Sequence, residues 1–184
     1  MKFLFLILPL LVVGCSTEPS NPTKHYFDIN GFIDKQANLL NQQKPLVSKQ
    51  MLADGKSEKK QIVVSDWVKE LALFRLLDLN KQAYVLSYQT TRPDSLTYQY
   101  TLKPTERASV RSLRVRLNKN KQVTDIEAII KTENSLYDSE KKMTLSCDTD
   151  KKGSWTIKSY LVSGHQHLTM TDKKVFEVVG VILN

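Results

Sequence analysis

Apolar and polar residues alternate with period two along most of this chain, and two stretches near its start repeat instead at helical spacing. The first runs from Asp28 to Lys44. Ile29, Phe32, Ile33, Gln36, Ala37 and Leu40 fall on one stripe, Asp28 is placed to cap the start, and Pro45 ends it. The second opens at Ser65-Asp66 and continues from Trp67 to Asn80. Its polar side holds only Lys69, Glu70, Arg75 and Asp78, so the pattern predicts a helix that is largely covered.

The remaining segments read as strands. Leu46 to Ala53 and Lys56 to Val64 flank Asp54-Gly55, a two-residue hairpin turn that sets Val47 opposite Ile62 and Lys49 opposite Lys60. The outer part of this hairpin is polar on both faces, so it is expected to project into solvent. Tyr84, Leu86 and Tyr88 meet Leu96, Tyr98, Tyr100 and Leu102 across Arg92-Pro93-Asp94-Ser95. Leu113, Val115 and Leu117 share a face, as do Ile126, Ala128 and Ile130. A turn at Lys119-Asn120 would place Leu113 opposite Ile126 and Arg114 opposite Asp125. Asp150-Lys151-Lys152-Gly153 suits a type I turn with a glycine bulge, joining the Cys147 strand to Trp155-Thr156-Ile157. Val175 to Leu183 is apolar on both faces and reads as an interior strand. Short turns between the later strands, with no helix among them, exclude a parallel βαβ plan. The expected fold is α+β: two N-terminal helices packed on a curved, mostly antiparallel sheet of about nine strands, forming one domain over residues 26–184.

Residues 1–14 follow a different pattern. Met1-Lys2 precedes an apolar run from Phe3 to Val13, and Gly14-Cys15 follows. A positive end, an apolar core and a small residue before the cut make an export signal. The run falls short of the roughly 20 apolar residues of a membrane-spanning helix. Val12-Val13-Gly14-Cys15 resembles the lipobox of bacterial lipoprotein precursors. That resemblance implies cleavage between Gly14 and Cys15 and attachment of lipid to the Cys15 thiol. Residues 15–25 would then be the lipidated cysteine and a tether, since Ser16 to Lys24 holds two prolines and no large apolar side chain. Ser16, rather than Asp, follows the cysteine and points to the outer membrane.

Composition alters this picture little. The formal charge is +8 and falls by one when Lys2 leaves with the leader. A basic surface suits nucleic acid, but an exported chain does not meet it, so anionic polymers or head groups of the envelope are the expected counterparts. With Cys15 committed to lipid, Cys147 has no partner in the chain. Met143, Leu145 and Cys147 share a strand face, which predicts a buried, inert thiol.

The sequence holds no Gly-rich phosphate loop, GxSxG elbow, HExxH or CxxC pair. Neither an enzyme nor a cofactor is therefore expected. His165 and His167 sit two apart without a visible third ligand, too little for a metal site. Asp125 and Glu127 alternate outward opposite basic residues and read as a charged solvated face. Tyr84, Tyr88, Tyr98 and Tyr100 are expected on one sheet face. They offer either a binding surface for an envelope protein or glycan, or a face packed beneath the Leu-rich helix.

The run Asp66-Trp67-Val68-Lys69-Glu70-Leu71-Ala72-Leu73-Phe74, followed by Asp78-Leu79-Asn80-Lys81, resembles uncharacterised envelope lipoproteins of Bacteroidetes-type bacteria. Those share the order lipobox, helix, polar hairpin, D-W-x-K-E-L-x-x-F helix and sheet. Leu136-Tyr137-Asp138-Ser139 and Phe176-Glu177-Val178-Val179-Gly180 also fit, so the similarity spans most of the chain. It implies no activity and carries over no functional residue.

Two functions fit these readings. One is a lipid-anchored, non-enzymatic binding or structural protein of the cell envelope. The other is a carrier or chaperone holding an apolar ligand or lipoprotein within a curved sheet. Metabolic labelling with alkyne palmitate is expected to mark the wild-type protein and to leave Cys15→Ala unmarked. Equal labelling of both would overturn the anchor.

Overall fold

The computed structural model describes residues 24–183. Gly14 and Cys15 lie outside the described residues, and so does the leader. Nine antiparallel strands form one open sheet: β1 Leu46–Ala53, β2 Lys56–Val63, β3 Tyr88–Thr91, β4 Thr97–Leu102, β5 Val110–Leu117, β6 Val123–Glu133, β7 Tyr137–Thr149, β8 Trp155–Leu168 and β9 Lys174–Leu183. Their spatial order is β2-β1-β9-β8-β7-β6-β5-β4-β3. The fold is α+β, with its helical segments on one face.

Helix α1 (Ile29–Gln43) forms where the apolar stripe predicts it. The Asp28 side chain accepts the Gly31 N–H, and Lys44 closes the other end in the left-handed region. Ile29, Ile33, Gln36, Ala37 and Leu40 are buried. Gln36 is the one polar group in that row. Pairing of β8 with β9 begins at Ser159, so residues 155–157 of β8 lack that neighbour. The Gln36 side chain takes its place: it accepts the Ile157 N–H at 3.0 Å and donates to the Trp155 carbonyl at 3.4 Å. A side-chain amide here does the work of a peptide group in the missing strand.

The second helix departs from expectation. Asp66 caps it as predicted, accepting from the Val68 and Lys69 N–H groups. Regular helix α2 spans only Trp67–Glu70, and a 3-10 segment follows over Ala72–Leu77. Leu71 marks the break, with φ −92° and ψ 4°. A repeat of three residues per turn lines up Leu71, Phe74 and Leu77 towards the core, where each is 0–1 % exposed. The opposite side stays open, with Val68, Leu73 and Leu76 exposed. The segment is therefore covered on one side only. Polar contacts hold it against α1: Trp67 N–H to Asn41, Arg75 to Asp34, and Asn30 to Asp78.

The first hairpin has the expected turn and register, with Val47 opposite Ile62 and Lys49 opposite Lys60. It is not a free arm. β1 pairs with β9 along its whole length, from Leu46 opposite Leu183 to Ala53 opposite Phe176. Within the hairpin only β2 is an edge, and Lys56, Lys59 and Lys60 keep it hydrated. β9 is interior, as its double apolar pattern predicts, and the Asp150 turn forms with Gly153 at φ +78°.

Two further expectations are corrected. Leu113 lies opposite Ala128 and Arg114 opposite Glu127, because the β5–β6 loop runs through Asn118, whose side chain accepts the Asn120 and Gln122 N–H groups. The shift is two residues, so every side chain keeps its face. Tyr84 and Leu86 belong to no strand. A 3-10 turn covers Gln82–Tyr84, and the Tyr26 hydroxyl bonds the Tyr84 and Val85 carbonyls that a ladder would have used.

Under the helical segments, Leu113, Val115, Ile126, Ala128, Met143, Leu145, Ile157 and Tyr160 join Trp67, Leu71 and Leu77 in one filled core. Gln36→Leu, of similar volume, would leave the Ile157 N–H and Trp155 carbonyl without partners. It is expected to lower stability by about 1–3 kcal/mol in a denaturant melt, whereas Lys35→Leu on the exposed side of α1 should leave the midpoint nearly unchanged.

Candidate functional site

The helical segments cover one face of the sheet, and among the described residues no element covers the other. Strand alternation decides what that face presents. β9 is the unusual strand, because its second face is also aliphatic. Val179 and Val181 point away from the core, and Leu183 continues the row beside Leu46 and Val63. Leu161 on β8 lies opposite Val179. Val63 is 55 % exposed, Leu46 40 % and Val181 37 %. An antiparallel sheet normally turns polar residues to water on its free side, so a contiguous aliphatic strip there is informative.

Further across the same face, β4 to β7 carry a polar half. Arg116 reaches Glu127 at 2.7 Å and Asp125 at 3.5 Å, and Arg114 meets Glu127 at 3.5 Å. The Ser146 and Ser159 hydroxyls are 2.7 Å apart. Two depressions open here, of about 210 Å³ and 330 Å³, and they share Glu127 and Lys142 along their rims. Asp125 and Glu127 thus occupy the charged face that their alternation predicts.

The four tyrosines are brought together, but largely as core. Tyr88 and Tyr100 are 4 % and 3 % exposed, so they offer no contact area to a partner. Tyr26, whose part the sequence reading missed, is the hub. Its ring meets Tyr88 and Tyr100 edge-on at 5.7 and 5.5 Å. Tyr84 packs edge-on against Tyr88, and Tyr98 stacks on Tyr100. The hydroxyls are engaged: Tyr88 donates to the Val110 carbonyl, and Tyr100 accepts the Phe27 N–H. Burial raises the Tyr88 and Tyr100 hydroxyls above the usual phenol range. Tyr84 and Tyr98 remain half-buried, beneath Lys81 and Arg92 respectively. The cluster fixes how the chain comes onto α1.

A second feature was also invisible in the sequence. Gly180 lies between Lys49 on β1 and Tyr160 on β8. A Cβ at Gly180 would sit 2.1 Å from the Tyr160 ring, so the glycine lets that ring cross β9. The Tyr160 hydroxyl donates to Glu70, and Lys49 Nζ meets the same carboxylate at 2.7 and 2.9 Å. Burial, with Glu70 alongside, raises the Tyr160 hydroxyl far above the ordinary phenol range. Beside this trio runs a groove of about 260 Å³ lined by Met51, Leu73, Phe74, Val162, Phe176 and Val178. The trio joins two strands and the helix, far apart in sequence, across β9, and no local motif announces it.

His165 and His167 share a strand side, but His165 bonds Asp138 at 2.9 Å. That bond holds the Asp138 carboxyl below its usual range. Among the described residues no group of three His, Cys, Asp or Glu side chains converges as a metal site. Also among them, no helix is long and apolar enough to cross a membrane. Comparison with known protein families, curated proteins and solved structures finds no match to this chain.

Cys147 is buried on the core face, and its burial, with Asp125 nearby, pushes the thiol up to about 12. Iodoacetamide at pH 8 should therefore leave Cys147 unmodified in the folded protein and alkylate it rapidly in denaturant. Mass spectrometry of the two samples checks this, and fast modification of the folded protein would contradict a closed core.

Proposed function

We propose that this chain is a lipid-anchored envelope protein, held at the outer membrane through Cys15, that acts as a non-enzymatic binding module. The uncovered sheet face is its contact surface. The observation that carries this reading is the aliphatic strip on β2, β1 and β9, where the free side of the sheet stays apolar with nothing packed against it. Fully exposing such side chains forgoes about 1.5–3 kcal/mol each relative to burial. A partner laid over Val63, Leu46 and Val181 would recover part of that.

The chemistry of the face favours a protein over a glycan. Sugar rings stack on aromatic platforms, and this strip is made of Val and Leu. An aliphatic patch on β2, β1 and β9, with charged residues two to four strands further across the same face, matches a protein interface that has an apolar centre and a polar periphery. The lipobox-like Val12-Val13-Gly14-Cys15 and the resemblance to envelope lipoproteins support the location.

A second reading, as carrier of an apolar ligand, draws on the groove beneath α2. Its volume of about 260 Å³ falls just short of ligand sites, which begin near roughly 300 Å³. The filled core leaves little further room, so the groove suits one short chain segment rather than an enclosed lipid.

Photo-crosslinking residues placed at Val63 and Val181 are expected to trap a discrete protein adduct in intact envelopes, whereas one at Asn120 should not. Val181→Lys should abolish the adduct while shifting stability by less than about 1 kcal/mol. No adduct from either position in a folded, correctly located protein would sink the proposal.

A further inference from the structure

One end of the sheet carries large apolar side chains with no cover. Strand registers define that end. Val110, Ile130, Lys141, Gly164, Phe176 and Ala53 lie on one level across the sheet. Beyond it, β7 and β8 continue for four residues to Tyr137 opposite Leu168, a projection of about 13 Å at ~3.3 Å per residue. The β6–β7 and β8–β9 turns hold each other at the summit. The Thr169 N–H donates to the Leu136 carbonyl at 3.1 Å, and the Thr169 hydroxyl to the Ser135 carbonyl at 3.0 Å. There Met170 is 97 % exposed, Leu136 69 % and Leu168 52 %. Leu86, 77 % exposed, stands at the same end beside β3.

Cations surround these side chains. Lys103 Nζ donates to the Leu86 carbonyl at 2.7 Å, which holds the ammonium beside that apolar group. Lys81, Lys103, Arg107, Arg111, Lys141 and Lys173 make no ion pair with a described residue. Glu106, Asp138, Glu140 and Asp172 are the carboxylates of this end that no lysine or arginine pairs, so positive charge is in excess by two. The remaining acids are neutralised, Glu133 by Lys131 and Asp54 by Lys174.

The described chain also begins here. Tyr26 hydrogen-bonds the Tyr84 and Val85 carbonyls, immediately before Leu86. Eight residues separate Cys15 from Lys24, which can span at most ~30 Å.

We infer that this end of the domain docks on a lipid surface bearing anionic head groups, with Leu86, Leu136, Leu168 and Met170 dipping into the interface. The inference rests on acylation of Cys15. Large aliphatic side chains fringed by lysine and arginine are suited to a head-group boundary, where the apolar tip enters and the cations stay at phosphate level. An anchor within reach of the same end keeps the local concentration of lipid high, so a weak contact is sufficient. Docked this way, the strands rise obliquely from the bilayer, because Leu86 stands about 13 Å short of the summit, and the uncovered face remains accessible.

The test uses the native lipidated protein in vesicles containing phosphatidylglycerol and brominated phosphatidylcholine. Single Trp reporters replace Met170, Leu86 and, at the opposite end, Asn120. Met170→Trp and Leu86→Trp fluorescence should be quenched beyond the wild-type signal of Trp67 and Trp155, and Asn120→Trp should not. In the unlipidated Cys15→Ser protein, Leu136→Ser with Met170→Ser should lower partition into the same vesicles by about tenfold without changing the melting temperature. Unquenched Met170→Trp and Leu86→Trp reporters in protein that stays with the vesicles would overturn the docking and leave the anchor standing. Native protein with no lipid mass on Cys15 would overturn the anchor, and the docking with it.

Discussion

The fold depends on how the backbone of β8 is satisfied where its pairing with β9 stops. A buried strand with one side vacant would leave a peptide N–H and a carbonyl without partners, each costing about 1–3 kcal/mol. Gln36 supplies both bonds from a helix. That single amide sets the rotation of α1 about its axis, because its two ends fit only one orientation over Trp155 and Ile157. With α1 fixed, Asn41, Asp34 and Asn30 are placed to receive α2 and the 3-10 segment. The layer over the core face is thus assembled from one polar contact outward.

The two faces of the sheet have different fates for the same reason. Helical segments reach only the side that Gln36 selects, and their side chains fill it. On the other side β9 still carries Val179 and Val181, and nothing in the domain reaches them. The Tyr160 ring over Gly180 adds to the asymmetry by sending a bulky group from β8 across β9 towards Glu70 on the covered side. The packing leaves two apolar surfaces without cover among the described residues: an aliphatic strip on one face and a lysine-fringed end.

Much of this was legible in the chain. The Asp54-Gly55 turn announced its hairpin and register, the stripe from Ile29 to Leu40 its helix, and the double apolar pattern of Val175 to Leu183 an interior strand. Each is a local signal tied to one backbone geometry. The failures are also specific. Alternation reports parity and not loop length, so the β5–β6 register slipped by two without moving a side chain to the wrong face. A segment apolar nearly all round, from Trp67 to Leu79, cannot say whether its repeat is 3.6 or three, and Leu71, Phe74 and Leu77 suit the tighter turn. Tyr88, Tyr98 and Tyr100 share a sheet face while Tyr84 lies in a 3-10 turn, and Tyr26, which covers them, lies outside every periodic segment. The candidate face was half visible: the strand pattern showed Val179 and Val181 to be apolar, and only the topology shows that no element lies above them. Lys49, Glu70 and Tyr160 meet through the pairing of β1, β9 and β8, which no stretch of sequence contains.

That pairing also governs the order of assembly. β1, among the first elements to emerge, takes its inner neighbour from the last ten described residues of the chain. Such wide sequence separation raises contact order and slows folding. A polypeptide delivered N-terminus first must therefore hold its opening hairpin in waiting until the final strand arrives. Completion of the sheet is a late closure, and until then the aliphatic residues of β1 stand exposed.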